Sequence, residues 1–125
     1  MKYLMDVNAL IAAIWTDHVG HSTADAWVKS KSLVTCPFSE LGFLRVSAHP
    51  KALGSAMADA RKLLEGFLTK HAVEFLAADL PALKTKATRS EELKDLYLAD
   101  LAAANRMKLA TFDSKISHPA VELIR

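Results

Sequence analysis

Short apolar runs alternate with longer segments of helical periodicity along this chain. Five runs of mostly apolar residues predict β-strands, the last of them at the edge of a sheet: Lys2–Met5, Leu33–Cys36, Val73–Leu76, Lys108–Thr111 and Val121–Ile124. Strands that alternate with helices generally form parallel sheets covered on both faces. The pattern therefore predicts an α/β fold with one open, mostly parallel sheet of four to five short strands and helices on both faces.

The segments between these runs favour helices. The spacing of apolar residues predicts helices over Asn8–Trp15, His18–Lys31 and Leu93–Arg106. Leu80–Lys86 also has a helical composition, whereas Ala87–Glu92 is polar and is expected to be exposed. Three residues whose side chains can accept the first free N–H groups of a helix are expected at N-caps, namely Asp17, Ser39 and Ser55.

The composition excludes several classes of protein. The 125 residues are 51% hydrophobic and 24% charged, which is typical of a globular protein, so residues 1–125 are expected to form a single domain. The single cysteine, Cys36, excludes an internal disulfide. No apolar run approaches the roughly 18 residues of a membrane span, and we expect a soluble, cytoplasmic protein. The formal net charge of +2 does not by itself indicate a nucleic-acid partner.

Acidic residues follow the ends of the predicted strands. Asp6 directly follows the first strand, and Asp113 follows the fourth. Glu40 lies in the first turn of the helix after the second strand, and Asp95 lies in the first predicted turn of the long helix. Because the carboxyl ends of parallel strands meet at one edge of a sheet, these four side chains are expected to lie near one another.

Clustered carboxylates repel one another, and a divalent cation removes that repulsion. A set of oxygen ligands without histidine or cysteine favours Mg²⁺ or Mn²⁺ over zinc. Such ions activate water for attack on phosphate esters. The acids therefore indicate phosphoryl-transfer chemistry.

Each acid also has an ordinary structural interpretation. Asp6 could cap the helix that follows it, and Asp113 could be a turn residue. Glu40 and Asp95 could be helix-dipole acids. Asp100 lies five residues after Asp95, about 140° around a helix, so we expect it on a solvated face and outside any shared site.

Four segments resemble the motifs of PIN-domain ribonucleases, in the order of that family. They are Leu4–Leu10, Thr35–Val46, Asp95–Ala99 and Leu109–Asp113, and together they extend over nearly the whole chain. The match is most similar to the VapC-like toxins of prokaryotic type II toxin–antitoxin pairs. One departure is Lys94, which stands where many members of the family carry threonine before the aspartate.

The resemblance implies a Mg²⁺- or Mn²⁺-dependent endoribonuclease that acts on structured RNA such as tRNA or ribosomal RNA. It also implies a cognate antitoxin protein and a homodimer. The implied catalytic residues are Asp6, Glu40, Asp95 and Asp113. Of these, Asp6, Asp95 and Asp113 would bind metal, while Glu40 would position metal or water. The implied supporting residues are Asn8 and Thr111, which would hydrogen-bond to the ligands, and Arg45, which would contact RNA.

Two other functions remain open at this point. A PIN-like protein that binds RNA or a partner without cutting would need no convergence of the four acids. A metal-dependent phosphatase also uses aspartates at strand ends, but it usually carries a second aspartate two residues after the first. Asn8 occupies that position here, which disfavours the phosphatase.

Overall fold

Five parallel strands form one sheet in the computed structural model, which describes Met1–Arg125. The strands are β1 (Lys2–Met5), β2 (Ser32–Thr35), β3 (Glu74–Phe75), β4 (Lys108–Thr111) and β5 (Val121–Leu123). Their order across the sheet is β3-β2-β1-β4-β5, and every neighbouring pair is parallel. The predicted sheet is confirmed, including the position of the last strand at an edge.

Helices cover both faces of this sheet. They are α1 (Val7–Ile14), α2 (His21–Val28), α3 (Pro37–Ala48), α4 (Met57–Lys70) and α5 (Ser90–Ala104). Met5 belongs to a core of 16 buried residues shared with α1 to α4, and Leu4 to a core of nine shared with α5. Because successive side chains of a strand point to opposite faces, β1 is buried on both sides and occupies the centre of the fold.

Three helices begin at residues other than the predicted caps. Gly20, not Asp17, stands at the N-cap of α2. α3 begins at Pro37 because proline is well suited to the first helical position. Ser39 is therefore inside the helix, where its buried hydroxyl donates to the Met5 carbonyl oxygen at 2.6 Å. Ala56 takes the N-cap position of α4 that was predicted for Ser55.

The segment before α5 also differs from the prediction. Only a short 3₁₀ turn, Ala82–Lys84, forms where a helix was predicted over Leu80–Lys86. α5 begins at Ser90, three residues early, because the Glu92 carboxylate accepts the backbone N–H groups of Thr88 and Arg89 at 2.7 and 3.3 Å. These bonds satisfy donors that would otherwise be free at the helix start.

The order of the strands reverses at β1. From β1 the chain moves outward through β2 to β3, and it then returns to place β4 on the other side of β1. In open parallel sheets, ligands bind at the carboxyl ends of the strands where the order reverses. The gap between the ends of β1 and β4 is therefore the place to look for a functional site.

Gly66 lies inside α4 and gives a first test of the helical packing. A Cβ atom added at this residue would have no heavy atom within 4 Å. Because alanine reduces the conformational freedom of the unfolded chain, we expect Gly66→Ala to stabilise the protein by about 0.5–1 kcal/mol. Urea unfolding followed by circular dichroism measures this. A decrease in stability would mean that neighbouring atoms pack against Gly66 and leave no room for a Cβ atom.

Candidate functional site

Asp6 lies at the point where β1 becomes α1. Its backbone N–H donates to the Ala110 carbonyl oxygen at 3.2 Å, which continues the pairing of β1 with β4 and sets Asp6 beside the end of β4. Its carboxylate oxygen Oδ1 accepts the backbone N–H of Ala9 at 2.7 Å. Asp6 is therefore the N-cap of α1, as its ordinary interpretation predicted, and it occupies the switch point of the sheet at the same time.

The environment of Asp6 is unfavourable for a charged carboxylate. Only 3% of the residue is exposed. Burial raises the pKa of Asp6 to about 6, and the negative charge of Asp95 raises it further, while the Thr111 hydroxyl, the Ala9 N–H and the Lys94 ammonium act in the opposite direction. Asp6 is consequently a buried acid at the switch point, and its charged form would be more stable in water than in this environment.

Asp95 lies in the second turn of α5, because the helix begins earlier than predicted. α5 leads into β4, so its N-terminal half lies toward the carboxyl edge of the sheet. Burial raises the pKa of Asp95, the Lys94 ammonium lowers it, and the charge of Asp113 raises it. Asp95 thus interacts electrostatically with both Asp6 and Asp113.

Asp113 is held in a turn just beyond β4. Its backbone N–H donates to the Thr111 hydroxyl at 3.0 Å, and its Oδ1 accepts the N–H of Lys115 at 2.9 Å. Thr111 is fully buried and also acts on Asp6. This one hydroxyl therefore connects two of the acids predicted from the sequence.

Glu40 lies in the first turn of α3, directly after β2. Burial raises its pKa, with no contribution from another carboxylate. Asn8 and Arg45 are exposed on α1 and α3. Arg45 is five residues after Glu40, about 140° around the helix, so the two side chains leave α3 in different directions.

A cleft of about 240 Å³ lies beside Asp95 and Asp113, which line it. Two further acids, Glu91 and Glu92, and two basic residues, Arg89 and Lys115, also line it. The carboxylate donors suit a hard divalent cation, which would also offset their mutual repulsion. However, no three His, Cys, Asp or Glu side chains are arranged so that they could hold a metal ion as they stand. The acids fit such an ion by chemistry and charge, but they do not form a ready-made ligand shell.

Sequence reasoning missed a contact between Asp100 and His118. Asp100 was expected on a solvated face, but its Oδ1 lies 2.8 Å from Nε2 of His118, which follows β4 in the chain. No periodicity links a helix to an irregular segment 18 residues away. No signal in the sequence pointed to this contact, because Asp100 shares the side of α5 that carries the exposed Leu93 and Ala103.

Comparison with known proteins gives a consistent picture. The PIN domain family matches residues 3–122 of the chain. The chain is 35% identical over 121 residues to Ribonuclease VapC38 of Mycobacterium tuberculosis, covering 90% of this chain and 86% of that protein. It is 32% identical over 131 residues to Ribonuclease VapC44 of the same organism, covering 97% and 92%.

A solved structure has the same fold. It is a chain of the crystal structure of VapBC2 from Rickettsia felis bound to a DNA fragment from their promoter. This chain superimposes on it with a TM-score of 0.64 and 19% identity, covering 98% of this chain and 97% of that chain.

None of the five helices is long and apolar enough to cross a bilayer.

Proposed function

Because this chain belongs to the PIN-domain family, we propose that it is an endoribonuclease toxin of a type II toxin–antitoxin pair and that residues 1–125 act as its single nuclease domain. Its similarity to two VapC ribonucleases over at least 86% of their lengths supports the reaction class. One observation carries the assignment of the site. Asp6 lies at the switch point of the sheet, where such a fold binds ligands, and Asp95 and Asp113 line one cleft at the same edge.

We propose that Asp6, Asp95 and Asp113 hold Mg²⁺ or Mn²⁺. Their oxygen atoms are the ligands that these ions prefer, and burial and mutual repulsion leave Asp6 and Asp95 with raised pKa values that a nearby cation would lower. When bound, such an ion would lower the pKa of water and offset the charge that develops on the phosphate.

The other polar residues orient the acids and the RNA. The Ala9 N–H and the Thr111 hydroxyl fix the orientation of the Asp6 carboxylate, and Thr111 also holds the backbone of Asp113. We propose that Asn8, exposed two positions after Asp6, hydrogen-bonds to the metal ligands. Glu40, whose raised pKa favours proton uptake, positions the attacking water.

Phosphate groups of the RNA contact basic side chains at the rim of the cleft. Lys115 lines it, and Arg45 is exposed on α3, whereas Arg89 is paired with Glu91 and Glu92 at 3.5 and 3.3 Å. The near balance of charges over the whole chain indicates that this contact is local and does not extend over a basic surface. We propose structured RNA, tRNA or ribosomal RNA, as the substrate.

A cognate antitoxin and a second copy of the chain complete the proposed assembly, in the cytoplasm. Phe38, Leu83 and Leu93 are large apolar residues with exposed fractions of 45, 98 and 45%. Phe38 and Leu93 line an apolar groove of about 470 Å³ that also reaches Lys94, next to Asp95. A groove of this kind accepts an amphipathic segment, which supports control of the site by a bound antitoxin.

Cleavage assays with a single-residue variant test the proposed function. We expect the purified chain to cut total tRNA or ribosomal RNA at discrete positions with Mg²⁺ or Mn²⁺, to leave 5′-phosphate ends, and to be inactive with chelator. Asp95→Asn removes one charged ligand and should reduce the rate roughly 100-fold or more, since the proposed ion contributes several kcal/mol. Asp59→Asn, on the exposed first turn of α4, is the matched control and should cut normally.

Two outcomes would contradict this function. If the Asp95→Asn variant cuts as fast as the parent protein, the acids at the switch point do not carry the reaction. If the parent protein binds RNA but leaves it intact with either metal, the chain is a binding module that has the fold of the nucleases without their activity.

Lys94 provides a separate prediction about the charge balance of the site. Its ammonium lowers the pKa of both Asp6 and Asp95 and therefore also opposes the approach of a cation. We expect Lys94→Gln to strengthen Mn²⁺ binding about threefold at low salt, and this gain should disappear at 1 M salt, where charges are screened within about 3 Å. Titration calorimetry measures it, with Lys62→Gln on α4 as the control. Unchanged or weaker binding at low salt would show that Lys94 does not act on the ion.

A further inference from the structure

The connection between β4 and β5 is unusually short. Residues 112–120 join two neighbouring parallel strands without any helix. Parallel strands are generally joined by a dozen residues or more, most often including a helix, because the chain must return along the whole sheet. Asp113 lies near the start of this connection, so whatever fixes the connection also fixes Asp113.

Hydrogen bonds close one turn at the start of the connection, and a separate set around His118 holds its end. Lys115 donates its N–H to Asp113 Oδ1 at 2.9 Å, and the contact from the Ile116 N–H to the Asp113 carbonyl oxygen is long, at 3.5 Å. No helix or strand pairing supports residues 114–117. The Asp113 N–H ties the start of the turn to Thr111 on β4, so the position of residues 114–117 relative to α5 depends on contacts made further along the connection.

His118 makes those contacts with both of its ring nitrogens. Nδ1 accepts the backbone N–H of Ala120 at 3.0 Å, so this nitrogen carries no proton. The proton is on Nε2, which donates to Asp100 Oδ1 at 2.8 Å. Only 15% of the His118 side chain and 32% of the Asp100 side chain are exposed, so water competes weakly for this bond.

The pair joins the two segments that carry Asp95 and Asp113. Asp95 and Asp100 are on α5, and Asp113 and His118 are on the connection, and the members of each set are five positions apart in the sequence. We propose that Asp100 and His118 are positioning residues that hold the Asp113 turn against α5 and so fix the separation of the Asp95 and Asp113 carboxylates. This role deepens the proposed nuclease function and depends on it for its consequence in catalysis.

Nuclear magnetic resonance tests the positioning itself, without metal or RNA. In the parent protein we expect ¹⁵N order parameters above about 0.8 for residues 113–117. In His118→Ala they should fall below about 0.6, the range of flexible backbone, while those of β4 stay unchanged. Asn105→Ala removes a different hydrogen bond from α5, to the Leu101 carbonyl oxygen, and is the matched control that should leave the turn rigid.

Metal affinity separates positioning from a purely structural role. Loss of a residue that orients a metal ligand typically weakens metal affinity 10- to 100-fold. His118→Ala and Asp100→Leu should therefore each weaken Mn²⁺ binding at least about tenfold. Both should lower kcat, with KM for RNA unchanged within about twofold. Asp100→Asn keeps an oxygen that accepts the Nε2 proton and should retain most of the affinity. The double variant Asp100→Leu/His118→Ala should be no worse than either single variant, because the two residues act as a unit.

The outcomes of these two experiments are distinguishable from a failure of the proposed function. A rigid Asp113 turn in His118→Ala, or unchanged Mn²⁺ affinity in a variant whose melting temperature has fallen, would overturn the positioning role. If the parent protein neither binds Mn²⁺ nor cuts RNA, the proposed function fails, and the order parameters alone then decide whether the pair holds the turn.

Discussion

Asp6→Asn should make the protein more stable in the absence of metal. Burial raises the pKa of Asp6 from 3.8 to about 6, which corresponds to a destabilisation of up to about 3 kcal/mol when the carboxylate is charged at neutral pH. Asparagine is as good an N-cap as aspartate, so its amide oxygen can still accept the Ala9 N–H. The substitution therefore removes the buried charge and keeps the start of α1.

The same substitution should abolish RNA cleavage. An amide is a poor ligand for a hard divalent cation, so we expect the cleavage rate to fall roughly 100-fold or more. Mn²⁺ should raise the melting temperature of the parent protein but not that of Asp6→Asn. Stability and activity would thus change in opposite directions at one residue, as expected where a buried charge is kept for function.

The pH dependence identifies the charge of Asp6 as the cause. A carboxyl whose pKa is raised on folding has no effect on stability below pH 3.8, where it is protonated in both states, and it destabilises fully above pH about 6. In chelator, the difference in unfolding free energy between Asp6→Asn and the parent should therefore be near zero at pH 3.5 and largest above pH 7. Equal stability of the two proteins at pH 7.5 would contradict the unfavourable burial of Asp6.

Gly42→Ala should destabilise the protein by about 2 kcal/mol. A Cβ at this residue of α3 would lie 2.2 Å from Cγ2 of Val7, a contact that cannot exist without movement. Val7 is itself buried and β-branched, so its side chain cannot turn away, and overpacking of this kind generally costs about 1–3 kcal/mol. Gly66→Ala, the same change in an open part of a helix, is the matched control with the opposite sign.

The same contact links packing to the site. Val7 directly follows Asp6, and Gly42 lies two residues after Glu40. A shift of α3 away from α1 therefore moves Glu40 away from Asp6. A displacement of about 1 Å can reduce catalysis as much as 100-fold. Gly42→Ala should therefore also lower the cleavage rate. The loss of rate should be larger than the loss of folded protein at the assay temperature.

A second substitution tests this explanation. Val7→Ala removes the methyl groups that would clash, so the double variant Val7→Ala/Gly42→Ala should be more stable than Gly42→Ala alone and should recover part of the cleavage rate. Chemical unfolding and cleavage assays on the parent, both single variants and the double variant give the coupling between the two residues. Additive effects would show that α3 and α1 do not meet at Gly42.

Most of the fold was predictable because its signals are local. The strands β1 and β4 are short apolar runs closed by polar residues, and both lie where the sequence predicted them. The starts of α3 and α5 were not found. α3 begins at Pro37 although Ser39 is the better cap by composition, and α5 begins early because the Glu92 side chain reaches back to the preceding backbone. Both depend on which of several local hydrogen bonds the tertiary structure selects.

The placement of two candidate site residues at one edge of the sheet was predictable, but the geometry of their side chains was not. Asp6 and Asp113 follow strands, so their meeting at one edge of the sheet follows from parallel pairing. The effect of Lys94 on two carboxylates depends on side-chain directions that the sequence does not specify. The bond between Asp100 and His118 depends on the path of an irregular connection.

The position of β1 at the centre of the sheet has a consequence for the order of events in folding. Tyr3 pairs with Leu33 on one side and with Lys108 on the other, so the second pairing closes a loop of about a hundred residues. Contacts so distant in sequence form late and slowly. The half containing β1 to β3 can therefore assemble while Asp6 still lacks Thr111 and Asp113, and nuclease activity should emerge only with the last step of folding.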